Sequence, residues 1–411
     1  MLHSNVKGAS INSQHCYDVS KKGCRKSFLE VLNHQLCIPN RQNRCKTKLR
    51  SCRYDQTLKP RNFVNKSDNF IILERKRLRE RRNVKMTSLP LSLELGYSRN
   101  DDKFSSFFDR MSKLFNAFYR FTRPHTIIGT LIGVTSIFLL PIRSTSDLSP
   151  QFFMAWLKTL LPTILMNIYV VGLNQLFDVE IDKVNKPDLP LASGEFTMGV
   201  GLIIVLICCI SSFAMGFASH SPPLIMALII CFSLGSAYSL DLPFLRWKKH
   251  PFLAASSIVI VRAMTLQLAF FIHVQKYVLG RAITLTRPLM FATSFMCFFV
   301  TVIALFKDIP DIDGDKHFGI QSFSIKLGKE KVFWLCVKML LVAYGSAVAL
   351  GATSAISPNN IIMMVGHSTL ASILWIRAQS VDLTDNVSIT SFYMFIWKLF
   401  YSEYFLLPFV R

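Results

Sequence analysis

Apolar stretches close to 20 residues long recur from about residue 125, separated by shorter polar links. They fall roughly at 125–141, 152–176, 198–217, 223–240, 252–272, 288–306, 332–350, 361–378 and 389–410. Each is long enough, at about 1.5 Å per helical residue, to cross a hydrocarbon core of about 30 Å. The pattern predicts an all-α, polytopic membrane bundle of about nine transmembrane helices, with few residues left for a soluble domain. Gly, Ser and Thr within several stretches suit close helix approach, which matters where lipid gives helices no hydrophobic push together. Parity along nine spans puts the leader and the second–third, fourth–fifth, sixth–seventh and eighth–ninth connections on one side of the membrane. Those connections are the polar ones. The opposite links are short except residues 273–287, whose Lys276, Arg281 and Arg287 blunt a positive-inside assignment.

Composition agrees: 51% of residues are hydrophobic, 18% are charged, and mean hydropathy is +0.35, too apolar for a soluble chain. A net charge of +22 would suggest a nucleic-acid partner if it were spread evenly. Instead residues 1–90 hold 21 Lys/Arg against 6 acids, and residues 91–411 hold 26 against 19. The excess belongs to a leader, and no nucleic acid is implied. That leader lacks the apolar run of a secretory signal, while its basic, acid-poor composition is that of an organelle transit peptide. Residues 1–90 are therefore expected to be a basic, disordered transit peptide and linker, and residues 105–411 the membrane domain. Five cysteines lie in the leader and five in apolar runs, without the spacing of a zinc module or a disulfide framework.

Chemistry concentrates at two span ends. The second span closes on NQLFDVEID, which puts Asn174, Gln175, Asp178 and Asp182 at offsets of 0, 1, 4 and 8. The sixth closes on KDIPDIDGD, which puts Lys307, Asp308, Asp311 and Asp315 at the same offsets. A continuous helix would carry Asn174, Asp178 and Asp182 on one face. Carboxylates one turn apart, about 5 Å, repel by about 3 kcal/mol at an effective dielectric near 20, so a cation belongs between them. Oxygen donors without His or Cys favour Mg²⁺, and two such clusters on one side suggest one diphosphate held by about two ions. Arg246 and Lys248 beyond the fourth span, and Arg123 before the first, are the candidate cations for its oxygens. Lys183 and Lys186 are weaker ones. Tyr238, His125 and the intramembrane Arg262 are candidates for the cavity or acceptor side, with Phe177 and Tyr169 as further aromatic walls. The main rival is a polytopic transporter, which leaves the paired stencils without a purpose.

NQLFDVEID and KDIPDIDGD resemble the aspartate motifs NQxxDxxxD and KDxxDxxGD of plant membrane aromatic prenyltransferases of the UbiA superfamily. RFTRPHTIIGT, NKPDLPLASGE, TRPLMFATSF, FGIQSFSIKLG and SFYMFIWKLFYSEYFLLP extend the likeness to the homogentisate phytyltransferase branch, over roughly residues 105–411. That branch includes coumarin and flavonoid prenyltransferases. The resemblance implies nine helices around a cavity open sideways to lipid, capped by the aspartate motifs, in a plastid membrane. It implies Mg²⁺–diphosphate on Asn174, Asp178, Asp182, Asp308, Asp311 and Asp315, with Lys307, Arg246 and Lys248 as its basic partners. The implied reaction moves a prenyl group from an allylic diphosphate to a phenolic ring carbon. Asp188 stands where the homogentisate type is expected to carry an aromatic, a departure toward specialised phenolic acceptors; a coumarin such as umbelliferone or a flavonoid with dimethylallyl diphosphate, and homogentisate with phytyl diphosphate, both stay open.

Overall fold

The computed structural model describes residues 98–353 and 358–410; the leader over residues 1–90 lies outside the described residues. Proline opens several of the long helices, where its missing N–H is no loss, among them α2 (Pro124–Leu139), α3 (Pro150–Phe177), α6 (Pro222–Ser239) and α7 (Pro251–Val278). Elsewhere side-chain oxygens cap the first turn: Thr197 for α5 (Met198–Ala218), Thr286 for α8 (Arg287–Phe306) and Asp385 for α13 (Asn386–Leu406). The short helices α4 (Val179–Asn185), α9 (Ile312–His317) and α10 (Phe323–Leu327) lie in the polar connections. The long α11 (Lys329–Thr353) and α12 (Pro358–Gln379) complete the body.

A helix stands at each predicted position. Seven of the described helices, α3, α5, α6, α7, α8, α11 and α12, are long and apolar enough to cross a membrane. The other two are less orthodox: α2 has 16 residues, about 24 Å, and α13 has the length but falls short in apolarity. A helix that apolar runs do not announce, α1 (Ser98–Phe121), precedes them. Its Phe107, Phe108, Leu114, Phe115 and Phe118 recur at spacings of three, four and seven among charges and are exposed, the pattern of a helix lying along the membrane interface.

The long helices pack into a closed series. α3 lies against α2, α5 and α6; α7 against α2, α6 and α8; α11 against α8 and α12; and α13 returns to α2. One core gathers Phe299, Phe306, Phe333, Tyr344 and Phe400; the other gathers Phe121, Phe138, Met166 and Phe271. Outward positions such as Ile203, Ile210, Val342 and Ile376 are exposed apolar residues, as lipid contact requires. Gly172 lets α3 approach its neighbours: a Cβ there would fall 2.7 Å from Val205 and 2.8 Å from Phe121. The α3–α5, α6–α7 and α8–α11 connections, assigned by parity to one side, meet at one end of the bundle through the contacts described next.

Candidate active site

The helix that carries the first motif ends inside that motif. α3 stops at Phe177, and Asp178 leaves the helical conformation at φ −115°, ψ 13° before α4 begins. Asn174, Asp178 and Asp182 are therefore not on one continuous helical face. Arg246 explains the break. Its guanidinium donates to the carbonyls of Phe177 (3.2 Å) and Ser239 (3.0 Å), satisfying groups that the last turns of α3 and α6 leave open, and to Asp178 Oδ1 (3.1 Å). The second motif breaks likewise: α8 ends at Phe306, and Asp311 caps α9 at φ −88°, ψ 2°.

The carboxylates and cations then interlock. Asp178, buried, takes Lys248 Nζ at 2.6 Å and the amide of Asn174 at 2.7 Å on Oδ2. Lys186 pairs with Asp311, Lys307 pairs with Asp308, and Arg123 stands 3.9 Å from Asp182. Lys307 also lies 5.8 Å from the centre of the Tyr238 ring. Asp315 is buried and has no ion-pair partner among the described residues; Lys307 and Lys248 are the cations that face it. Lys183 instead pairs with exposed Glu180, and Lys249 with exposed Asp241. The cation between motif carboxylates, expected from repulsion alone, is supplied first by the protein's own lysines and arginines.

Charge balance at this mouth is close. Asp178, Asp182, Asp308, Asp311 and Asp315 face an equal number of cations: Arg123, Lys186, Arg246, Lys248 and Lys307. Burial pushes the Asp182 carboxyl up to about 6 despite Arg123 and Lys186. It pushes Asp315 up to about 7, with Lys307 opposing and Asp311 and Asp308 adding to the rise. Burial also lowers the Lys248 ammonium below its ordinary range, although Asp178 resists. Arg123 and Arg246 hold left-handed backbone, φ 50° and 61°, which costs a side-chain-bearing residue roughly 1–3 kcal/mol and is characteristic of functional positions.

Asn185, which the motif spacing did not single out, ties the two motifs together. Its amide donates to the carbonyl of Asp311 (3.1 Å) and its oxygen accepts from the N–H of Gly314 (3.0 Å). Gly314 is required by that contact, since a Cβ there would lie 2.3 Å from Asn185 Oδ1.

His125 and Arg262 lie deeper in the bundle. His125 packs edge-on against Trp397, ring centres 5.1 Å apart, and stands near enough to feel the charges of Arg123, Arg262 and Lys186. Arg262 lies in the first of two π-helical turns of α7, Ile260–Thr265, and donates to Asn167 Oδ1 at 2.9 Å. Tyr393 and Trp397 on α13, which the motif spacing did not single out, pack edge to face beside these groups; Tyr393 feels Lys307, Lys186 and Arg123. Tyr169, anticipated as a cavity wall, instead stacks on Phe232 at 5.3 Å and bonds Ser236 at 2.8 Å, a helix-packing role. Asp188 is exposed and contributes its backbone carbonyl to Arg120, so its side chain is no guide to the acceptor.

The profile of the UbiA prenyltransferase family matches residues 126–399. The chain belongs to the UbiA prenyltransferase family. A UbiA prenyltransferase is a membrane-bound enzyme, and the transporter reading is set aside. The chain is 55% identical to coumarin 8-geranyltransferase 1, chloroplastic, of Citrus limon, over 76% of this chain and 78% of that one. It is 55% identical to homogentisate phytyltransferase 1, chloroplastic, of Arabidopsis thaliana, over 72% and 75%. Identity to naringenin 8-dimethylallyltransferase 2, chloroplastic, of Sophora flavescens is 48%, over 72% and 73%. Among solved structures, a UbiA homolog from Archaeoglobus fulgidus bound to GPP and Mg²⁺ aligns with a TM-score of 0.50 at 16% identity, covering 71% of this chain and 99% of that one. That likeness shows a shared all-helical fold.

Proposed function

We propose that this aromatic prenyltransferase uses Mg²⁺ to move a prenyl group from an allylic prenyl diphosphate to a ring carbon of a phenolic acceptor, in a chloroplast membrane. The acceptor is a coumarin or flavonoid, with dimethylallyl diphosphate as donor, or homogentisate with phytyl diphosphate. One observation carries the reading: three polar connections bring two aspartate motifs and a matching set of lysines and arginines to one mouth of a lipid-length bundle.

The donor set fits Mg²⁺, being all oxygen with no thiol or imidazole among it. Among the described residues no three Asp, Glu, His or Cys side chains already converge on a common point, because protein cations hold the carboxylates. These carboxylates and cations would exchange partners to admit a nearly neutral metal–diphosphate unit. Asp178, Asp182, Asp308, Asp311 and Asp315 would hold the metal, in our reading two ions. Asn174, Arg123, Lys186, Arg246, Lys248 and Lys307 would turn to the phosphate oxygens. Bound Mg²⁺ would supply charge stabilisation for the departing diphosphate.

The chain's own residues do the rest. Arg246 and Lys248, both buried, deliver fixed positive charge where the leaving group gains negative charge. Tyr238, Tyr393, Trp397 and His125 shelter the allylic cation and exclude water that would capture it as an alcohol. The phenolic ring attacks through carbon, and a carboxylate of the cluster or the released diphosphate takes the ring proton. The prenyl tail arrives from lipid and the phenol from the aqueous side.

Asp178→Ala and Asp311→Ala test this in membranes supplied with Mg²⁺, labelled prenyl diphosphate and an acceptor panel. Each is expected to lower turnover about a hundredfold or more while membrane insertion stays intact. Near-normal rates at limiting Mg²⁺ would remove the assignment.

A further inference from the structure

Arg262 differs from the cations at the mouth. The ionisable groups near it include Tyr393, Tyr404, Cys231, Tyr401 and His125, none of them a carboxylate. A guanidinium inside a membrane bundle without an acidic partner is costly and marks a functional position by default. The π-helical turn that carries it is the kind of irregularity concentrated at functional sites.

The guanidinium lies 5.6 Å over the Trp397 ring and spends one N–H on Asn167. Asn167 is itself fixed, since its amide donates to Thr126 Oγ1 (2.9 Å), whose hydroxyl donates to the carbonyl of Arg123 (2.9 Å). A hydrogen-bond chain thus runs from Arg262 to the strained Arg123 at the diphosphate mouth. Arg262 also lines a cavity of about 80 Å³ with Asn167, Thr130 and Thr163. Thr265 and Cys231 also line it, and the remaining walls are apolar, Met166, Val170 and Phe270 among them. A prenyl tail would gain nothing from a guanidinium and would strip its water. A small ring bearing an ionised oxygen satisfies both kinds of wall.

We propose that Arg262, oriented by Asn167, is the seat for an ionised oxygen of the acceptor, a carboxylate or a phenolate. Trp397 lies under the guanidinium of this seat and edge-on to His125, on the side of the diphosphate mouth. The inference rests on the prenyl-transfer reading and names the acceptor chemistry that reading leaves open.

The test is equilibrium binding to the detergent-solubilised full chain without donor, together with kinetics. The probes are (2,5-dihydroxyphenyl)acetate against its methyl ester, and 7-hydroxycoumarin against 7-methoxycoumarin across pH. Loss of a charge-assisted hydrogen bond predicts that the wild type prefers the ionised probe of at least one pair by about 10- to 100-fold. Arg262→Gln should collapse that ratio to about twofold or less and raise the acceptor KM, leaving the donor KM nearly unchanged; Arg262→Lys should restore part of the preference. A preference for the acid identifies a carboxylate, and a hydroxy-over-methoxy preference that grows with pH identifies a phenolate; either supports the seat. Absence of discrimination by the wild type in both pairs overturns it, a result independent of how the variants fold. A rise in donor KM alone in Arg262→Gln overturns it as well. Charge-dependent binding that Arg262→Gln abolishes, in a protein without turnover, would sink the prenyl-transfer reading and leave the seat standing.

Discussion

Asp182 and Asp315 carry the sharpest consequence of burial. Their carboxyls, ordinarily near 3.8, rise to about 6 and about 7. Below pH 6 both hold protons, and a metal ion must displace them; between about pH 6 and 7 they ionise, and Mg²⁺ affinity should climb. Stability runs the other way without metal. The folded state binds these protons more tightly than the unfolded state, so their contribution is full below about pH 4 and is lost as pH rises to about 7. The expected outcome is a thermal midpoint that Mg²⁺ raises much more at pH 8 than at pH 5.5, measured on solubilised protein. An increment equal at both pH values would mean that these two carboxylates are not metal ligands.

At the scale of elements, the site is a suture between α4 and α9. Asn185 makes two hydrogen bonds across it, and Gly314 allows the approach. Asn185→Ala removes both bonds, about 1 kcal/mol each, without touching a carboxylate. Gly314→Ala puts a Cβ within 2.3 Å of Asn185 Oδ1, so the Asn185 side chain must give up its place across the gap. Both variants are expected to raise the donor KM several-fold while acceptor affinity holds. An unchanged donor KM would show that the Lys186–Asp311 pair alone keeps the motifs together. The broken ends of α3 and α8 follow the same logic, for a continuous helix would have carried the aspartates past the cations of the α6–α7 connection.

For the whole molecule, the bundle and the leader are separable expectations. The family match begins at residue 126, and the helices that build the mouth all lie beyond residue 97. A chain lacking residues 1–90 should insert into membranes and turn over within about twofold of the full chain, since transit segments contribute nothing to the mature fold. Residues 1–90 fused to a fluorescent protein should carry it into chloroplasts. A cytosolic reporter would overturn the plastid address and leave the enzyme reading untouched.

The sequence by itself determined the quantities that depend on local composition. Helix positions follow from apolar run length because a segment crossing lipid as a helix satisfies its own backbone. Shared sidedness of the two motifs follows from parity, and their oxygen-only donors follow from residue type. Arg246 and Lys248 were legible because basic residues in a connection on that side had few other places to go. Tertiary structure alone decided the pairings. It selected Lys186 over Lys183, placed Asn185 across the motif gap, brought Tyr393 and Trp397 from the last helix against His125, and turned Tyr169 into packing. It also ended each helix at its aspartate motif. These outcomes depend on which helices become neighbours and on where a buried charge finds its partner, relations between residues up to 276 positions apart, as between His125 and Tyr401. No local pattern encodes them.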